Sequence, residues 1–368
     1  MHFLWMLIAM LLLIALPAAA QSADVSALTD QFGELLPALL EAGSVPGAAL
    51  ALIHDGEVVW SQGYGVANLE SGVAITPDTP FNVASISKAL TSWEIMRMVE
   101  AGEIDLDAPA NQYLTSWQIP ALGRNDPNEA TIRRILSHTA GLTVDGYRAY
   151  EPGVELPTLP DFLSGGGGAD PVQMMISAGR RFMYSGGGYT ALQLMIEDLK
   201  GEPFAQVMQD DLLTPLGMEH SSFEWSADLN AATDYGRGGA VETHVVHVDQ
   251  AAGGLYASAN DLAAFFSAGM TDDYLTPESI ALMHTPVEGT DETYGFGYYV
   301  ETLPDGSTGV WHDGQGWGAR TLFVLMPEQG EGLIILTNLR NGNSVFEDVV
   351  CAWDMWVNGV ETDLCKAY

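Results

Sequence analysis

A serine that is to form an acyl-enzyme needs a base beside its hydroxyl and N–H donors for the oxyanion. No Gly-x-Ser-x-Gly occurs in the chain, so the nucleophile elbow of the α/β-hydrolases is absent. There are only three lysines, Lys88, Lys200 and Lys366, and only Lys88 has a serine three residues before it, in Ser85-Ile86-Ser87-Lys88. Three residues on a helix bring both side chains to one face, which lets the Lys88 amine approach the Ser85 hydroxyl. The helix start adds free N–H groups and positive partial charge beside Ser85. Lysine serves as a base only where burial or nearby positive charge brings its pKa well below the ordinary value of about 10.4. Taken alone, Ser-x-x-Lys arises by chance on many surface helices and more often marks a solvated lysine.

Four further segments change that balance. Phe81-Asn82-Val83-Ala84-Ser85-Ile86-Ser87-Lys88 is followed, in order, by Leu136-Ser137-His138-Thr139-Ala140-Gly141-Leu142 and Tyr184-Ser185-Gly186-Gly187-Gly188-Tyr189. Gly253-Gly254-Leu255-Tyr256-Ala257-Ser258 and Trp311-His312-Asp313-Gly314 complete the set. Together they resemble the serine β-lactamase-like family, which includes class C β-lactamases, low-molecular-weight penicillin-binding proteins, D-stereospecific peptidases and related esterases. The resemblance runs over essentially the whole chain after its first twenty residues. It implies that Ser85 is the nucleophile, Lys88 its base partner and Tyr184 the group that shares proton transfer with Lys88 and protonates the leaving group. It implies that the backbone N–H groups of Ser85 and Gln315 form the oxyanion hole, and that no metal or organic cofactor is used.

Two positions depart from the family pattern. Gly186 stands where the Tyr-x-Asn motif has Asn, which removes an amide that contacts the substrate's acyl-amide group and the lysine. His312-Asp313-Gly314 stands where β-lactamases have Lys-Thr-Gly, a form that resembles certain DD-peptidases, D-aminopeptidases and esterases. His312 is expected to polarise Tyr184 or, when protonated, to meet a substrate carboxylate; Asp313 either raises its pKa or faces solvent. Gly314 is expected to let substrate lie along the strand edge. The implied activity is hydrolysis through an acyl-enzyme of a small ester or a D-amino-acid or cell-wall-type peptide. The alternatives are a β-lactamase, or a catalytically silent penicillin-binding or sensor protein on the same fold.

Other candidates carry less chemistry. His244 and His247 lie three apart, but no third ligand accompanies them and Val245 to Val248 reads as strand, so no metal site is expected. His138 reads as a local hydrogen-bonding group at a helix end. Gly165 to Gly168 is followed by Ala169-Asp170-Pro171 rather than a helix with Lys, Ser or Thr, so it reads as flexible loop, not a phosphate cradle. Cys351 and Cys365 are the only cysteines and read as a C-terminal staple formed in an oxidising compartment.

These groups must be positioned by a chain of 368 residues, 47% hydrophobic, enough for a sizeable core. Forty-eight acidic against 13 basic residues give a formal charge of -35, a field that repels phosphates and anionic lipid, so neither nucleic acid nor a stable membrane partner is expected. The partner is a small molecule or peptide substrate. Such acidity suits either a high-salt setting or an ordinary exported acidic protein. Phe3 to Leu16 is an unbroken apolar run ahead of Pro17 and three alanines, and reads as a signal peptide over 1–20, with a retained anchor as the alternative. Periplasmic or secreted location follows from it.

Periodicity gives a hairpin over Ala48 to Ile53 and Val58 to Tyr64, a helix over Ser85 to Ala101, and mostly helices to about Pro286. Strands are expected at Gly295 to Thr302, Thr308 to His312, Arg320 to Met326 and Leu333 to Asn338, with a last helix over Val345 to Val357. The expected class is α+β: one antiparallel sheet from both chain ends, flanked by helices, with an inserted helical region. Residues 21–368 form one domain, its sheet region about 25–80 and 290–368 and its helical region about 81–289.

Overall fold

The computed structural model describes residues 25–366 except 243, 272–273 and 292. The expected signal peptide over 1–20 lies outside the described residues. Six strands form one antiparallel sheet in the order β2-β1-β8-β7-β6-β5. They are β1 (Gly47–His54), β2 (Glu57–Gly65), β5 (Tyr299–Thr302), β6 (Thr308–Gln315), β7 (Arg320–Met326) and β8 (Glu331–Thr337), while β3 (Phe81–Asn82) and β4 (Tyr256–Ala257) pair separately. The helices are α1 (Val25–Gly43), α2 (Ser87–Glu100), α3 (Ile132–Leu136), α4 (Leu159–Leu163), α5 (Gly186–Lys200), α6 (Phe204–Met208), α7 (Gln250–Gly253), α8 (Ala259–Met270), α9 (Pro277–Met283) and α10 (Phe346–Asn358). The sheet is thus assembled from both ends of the chain, as expected, and the mixed class is α+β.

Strands β1, β7 and β8 read as continuous apolar runs because both sheet faces are covered. Along β1, Ala48, Leu50 and Leu52 face one side and pack with Leu28, Phe32 and Leu36 of α1 and Trp353 of α10. Ala49, Ala51 and Ile53 face the other and join the larger core with Phe265 and Phe266 of α8 and Trp93 of α2. Burying a large side chain of this kind contributes roughly 1.5–3 kcal/mol, so the two layers together fix the sheet against which the helical region is built.

Two expectations on strands fail. Only Tyr299–Thr302 of the stretch beginning at Gly295 pairs in the sheet. Gly297 has φ +83°, and a Cβ there would crowd the Lys88 carbonyl at 3.0 Å, so this segment bends onto α2 instead of extending β5. Val245 to Val248 makes no strand either; Val246 forms an isolated bridge with Tyr150. The expected helix at Ser85 begins as a 3-10 turn over Ala84–Ile86 and becomes α-helical at Ser87.

Cys351 on α10 and Cys365 in the final 3-10 turn are joined in a disulfide, their Cα atoms 4.6 Å apart. The closed loop is short, so the bond should contribute about 2–3 kcal/mol by restricting the unfolded chain. Reduction should therefore lower the thermal midpoint by several degrees without abolishing folding, and two free thiols titrated under denaturing, non-reducing conditions would contradict the pairing.

Candidate active site

Ser85 sits in a turn clamped from three sides. The Val83 N–H donates to the Leu255 carbonyl at 2.9 Å, and Ser87 Oγ donates to the Ala84 carbonyl at 2.6 Å while accepting the Leu255 N–H at 3.0 Å. Ala84 is held at φ +45°, in the left-handed region that a residue with a Cβ enters only under constraint. The third clamp is β6. A Cβ on Gly314 would overlap the Val83 carbonyl oxygen and the Thr321 hydroxyl, so glycine is required where the nucleophile turn presses on the sheet. This revises the expectation for Gly314: its bare face receives Val83, and it is absent from the walls of the cavities around Ser85.

The Ser-x-x-Lys spacing works as anticipated. Lys88 Nζ donates to Ser85 Oγ at 3.2 Å and to the Ala252 carbonyl at 2.6 Å. Tyr184 Oη donates to Ser85 Oγ at 2.9 Å, so the serine hydroxyl lies between the amine and the phenol. Lys88 is 2% exposed, and burial brings its pKa down to about 7 against the opposing pull of Asp249, Asp145 and Asp313. At neutral pH much of it is a free amine, able to take a proton from Ser85. Tyr184 moves the other way. Burial, outweighing the bond to Ser85, raises its pKa well above 10, which keeps it a phenol that can donate.

His312 is corrected by the structure. Its Nδ1 lies 2.7 Å from the Asp313 carbonyl, which can only accept, so Nδ1 carries the proton and Nε2 accepts from Tyr294 Oη at 3.2 Å. Burial, aided by Lys88, pushes its pKa down to about 3. It is therefore neutral, offers no cation to a substrate carboxylate, and reaches Tyr294 rather than the Tyr184 hydroxyl. The bond to the Asp313 carbonyl raises its pKa only in part, against the larger effect of burial, and the Asp313 carboxyl is turned elsewhere. That carboxyl faces Arg320 at 3.5 Å and is itself pushed up by burial. Gln315 ends β6 and lines the same cavities as Ser85.

Tyr184 is held from behind by His138. The His138 ring packs on the Tyr184 ring at 4.2 Å between centroids, and its Nδ1 accepts the Ser185 N–H at 3.0 Å. His138 has φ +57° and is driven well below its usual pKa by burial, so it is a neutral, buried prop for the residue pair 184–185. Ser185 caps α5, accepting the Gly188 N–H at 2.9 Å. This puts Gly186 at the first position of the helix. A Cβ there would sit 2.8 Å from the Asp145 carbonyl, whose oxygen already accepts the Gly186 N–H at 2.9 Å. The chain at Asp145-Gly146 thus lies against the bare Cα of Gly186, leaving no room for a side chain there.

The other histidines separate: His244 stacks on Trp225 at 5.6 Å and His247 Nδ1 meets Asp249 at 3.2 Å. Sequence reasoning missed Tyr294, Asp145 and Asp249 as neighbours of the site. None has a motif around it, although Asp145 lies in the long loop from Thr143 to Asp170. A cavity of about 560 Å³ opens over Ser85, lined by Tyr184, Tyr299, His312, Asp313, Trp317 and Arg340 among others.

A six-stranded antiparallel sheet covered by helices on both faces, with a serine, lysine and tyrosine converging at its edge, defines a serine-hydrolase type of site. The chain belongs to the Beta-lactamase family, which matches residues 32–349. It is 28% identical over 341 residues to penicillin-binding protein 4 of Amycolatopsis lactamdurans, covering 86% of this chain and 87% of that one. It is 27% identical over 259 residues to PbpX of Bacillus subtilis (strain 168), covering 68% of this chain but only 61% of that relative's length. Among solved structures, SurE superimposes with a TM-score of 0.75 at 27% identity, over 91% of this chain and 77% of its own. The octameric penicillin-binding protein homologue from Pyrococcus abyssi, at 24% identity and a TM-score of 0.72, covers 92% of this chain and 78% of its own and shares the fold.

The lysine's lowered pKa has a direct kinetic consequence. Acylation should rise with pH through a midpoint near 7, because below it Lys88 is an ammonium and above it a free amine. Tyr184 should contribute no falling limb until well above pH 10. Rates of p-nitrophenyl acetate hydrolysis across pH test this; a rate that is flat from about pH 5 to about pH 9 would contradict it.

Proposed function

We propose that this protein is an exported hydrolase that acylates Ser85 and acts on a small ester or a D-amino-acid or cell-wall-type peptide. The observation that carries the reading is the placement of Ser85 Oγ between Lys88 Nζ at 3.2 Å and Tyr184 Oη at 2.9 Å. The free amine of Lys88 takes the serine proton as Oγ bonds to the carbonyl carbon. The carbonyl electron pair moves to oxygen, where the Ser85 and Gln315 N–H groups receive it. As the tetrahedral centre collapses, Tyr184 gives its proton to the leaving group and regains one from Lys88. Water then repeats the sequence on the acyl-enzyme. Export is supported by the apolar leader and the paired cysteines; the D-configured substrate class is supported by the likeness to SurE, which has been solved with D-Leu at 26% identity to this chain.

Esters are placed ahead of amides and β-lactams. An ester's leaving group departs without strong protonation, whereas an amide needs its nitrogen protonated and its acyl side held. The family's asparagine amide is missing at Gly186, and the Asp145 carbonyl stands where that side chain would begin. Measurable hydrolysis of short-chain p-nitrophenyl esters with weak or absent nitrocefin turnover is expected. Vigorous nitrocefin hydrolysis without ester activity would reverse the order.

A further inference from the structure

A smaller, more enclosed lobe of about 100 Å³ adjoins the wide cavity at Ser85 and reaches Lys88, with Asp145, Gly186, His247, Asp249, Ala252 and Gln315 in its wall. Resting on the acyl-enzyme reading above, we propose that Asp249 and Asp145 make this lobe a subsite for a cation, so that preferred substrates carry a free ammonium group on the acyl side of the scissile bond.

Neither carboxylate has a lysine or arginine ion-pair partner among the described residues; the ring that meets Asp249 is His247, itself in the wall of the lobe. Lys88 donates to Ser85 and to the Ala252 carbonyl and makes no ion pair among the described residues, although both acids act on its charge. Asp249 is 5% exposed, and among the described residues its carboxylate meets His247 Nδ1, at 3.2 Å. Although Asp249 precedes α7, its side chain makes no cap bond to that helix. Asp145 is exposed to the cavity and its carboxylate has no hydrogen-bond or ion-pair partner among the described residues. Asp313, by contrast, is matched by Arg320. Arg340 lines the wide cavity but not the lobe, so a cation in the lobe meets carboxylates without a guanidinium beside it.

Size and exit assign the lobe to the acyl part. A leaving group must depart to solvent and suits the wide opening, whereas the retained acyl group can occupy the enclosed side. About 100 Å³ admits an ammonium with a methyl or similarly small substituent. Bound there, the ammonium would also offset the acids' hold on the Lys88 proton and favour its free amine. Gly186 has a reason in this arrangement: its bare Cα lets the Asp145 backbone close in on the lobe.

Two substrates of nearly equal shape isolate the charge: D-alanine methyl ester, with an ammonium, and methyl D-lactate, with a hydroxyl in its place. At pH 7 kcat/KM should favour the amino ester by roughly tenfold to a hundredfold, the range for a hydrogen bond to a charged group. Rising salt should narrow the gap, and Asp249→Asn and the exposed Asp145→Asn should each bring the ratio towards one. A wild-type ratio near one, or a ratio unmoved by both substitutions, overturns the subsite. Equilibrium binding of D-alaninamide and D-lactamide to Ser85→Ala reads the lobe without turnover. A preference for D-alaninamide in a protein that hydrolyses no ester would keep the subsite and sink the hydrolase reading; equal affinities together with ester turnover would do the reverse.

Discussion

Replacing Lys88 by alanine should lower ester turnover by about a thousandfold or more, equivalent to roughly 4 kcal/mol of transition-state stabilisation. The size follows from the geometry. Lys88 Nζ is the group of lowered pKa within hydrogen-bonding distance of Ser85 Oγ, and Tyr184, with its pKa raised far above neutrality, cannot act as the resting base. The fold should survive, because α2 keeps its packing through Trp93, Leu90 and Met96, although the Ala252 carbonyl loses its donor. Circular dichroism together with single-turnover ester kinetics checks both parts. Turnover within tenfold of wild type would remove Lys88 from the proton path.

Tyr184→Phe should cost about a hundredfold to a thousandfold, in the range of positioned acid–base groups. It removes the 2.9 Å hydrogen bond to Ser85 and the proton for the leaving group, while the ring stays packed on His138. The loss should grow as the leaving group becomes more basic. A p-nitrophenyl ester, whose leaving group needs little help, should suffer least and an alkyl ester or amide most. Equal losses for all leaving groups would mean that Tyr184 supports the site without supplying the proton.

The catalytic pair was legible because it depends on local geometry: three residues along one helix put Lys88 beside Ser85 wherever the chain lies in the fold. The sheet was legible for a similar reason, since its strands are apolar runs bounded by turns such as His54-Asp55-Gly56. What the sequence did not show depends on distant segments meeting. His312 read as a group to polarise Tyr184 or meet a substrate carboxylate, with Asp313 either raising its pKa or facing solvent, yet its ring bonds the Asp313 carbonyl and Tyr294 and is buried to the point of staying neutral. Gly314 read as a substrate contact because nothing in its own segment shows that Val83 arrives against it. Gly295 to Gly297 resembled strand, and only the crowding against α2 at Lys88 explains why it bends away. Asp145 and Asp249, more than a hundred residues apart in sequence, converge on the lobe beside Ser85 only through the tertiary fold.

The claim on which the rest depends is that Ser85 becomes acylated. Intact-mass measurement after exposure to a fluorophosphonate and to a penicillin, on wild type and on Ser85→Ala, tests it most directly. The account predicts a single covalent adduct on the wild-type protein with the fluorophosphonate, mapped to the peptide containing Ser85, and none on Ser85→Ala. An adduct of equal yield on Ser85→Ala, or on another serine of the wild-type chain, would contradict it.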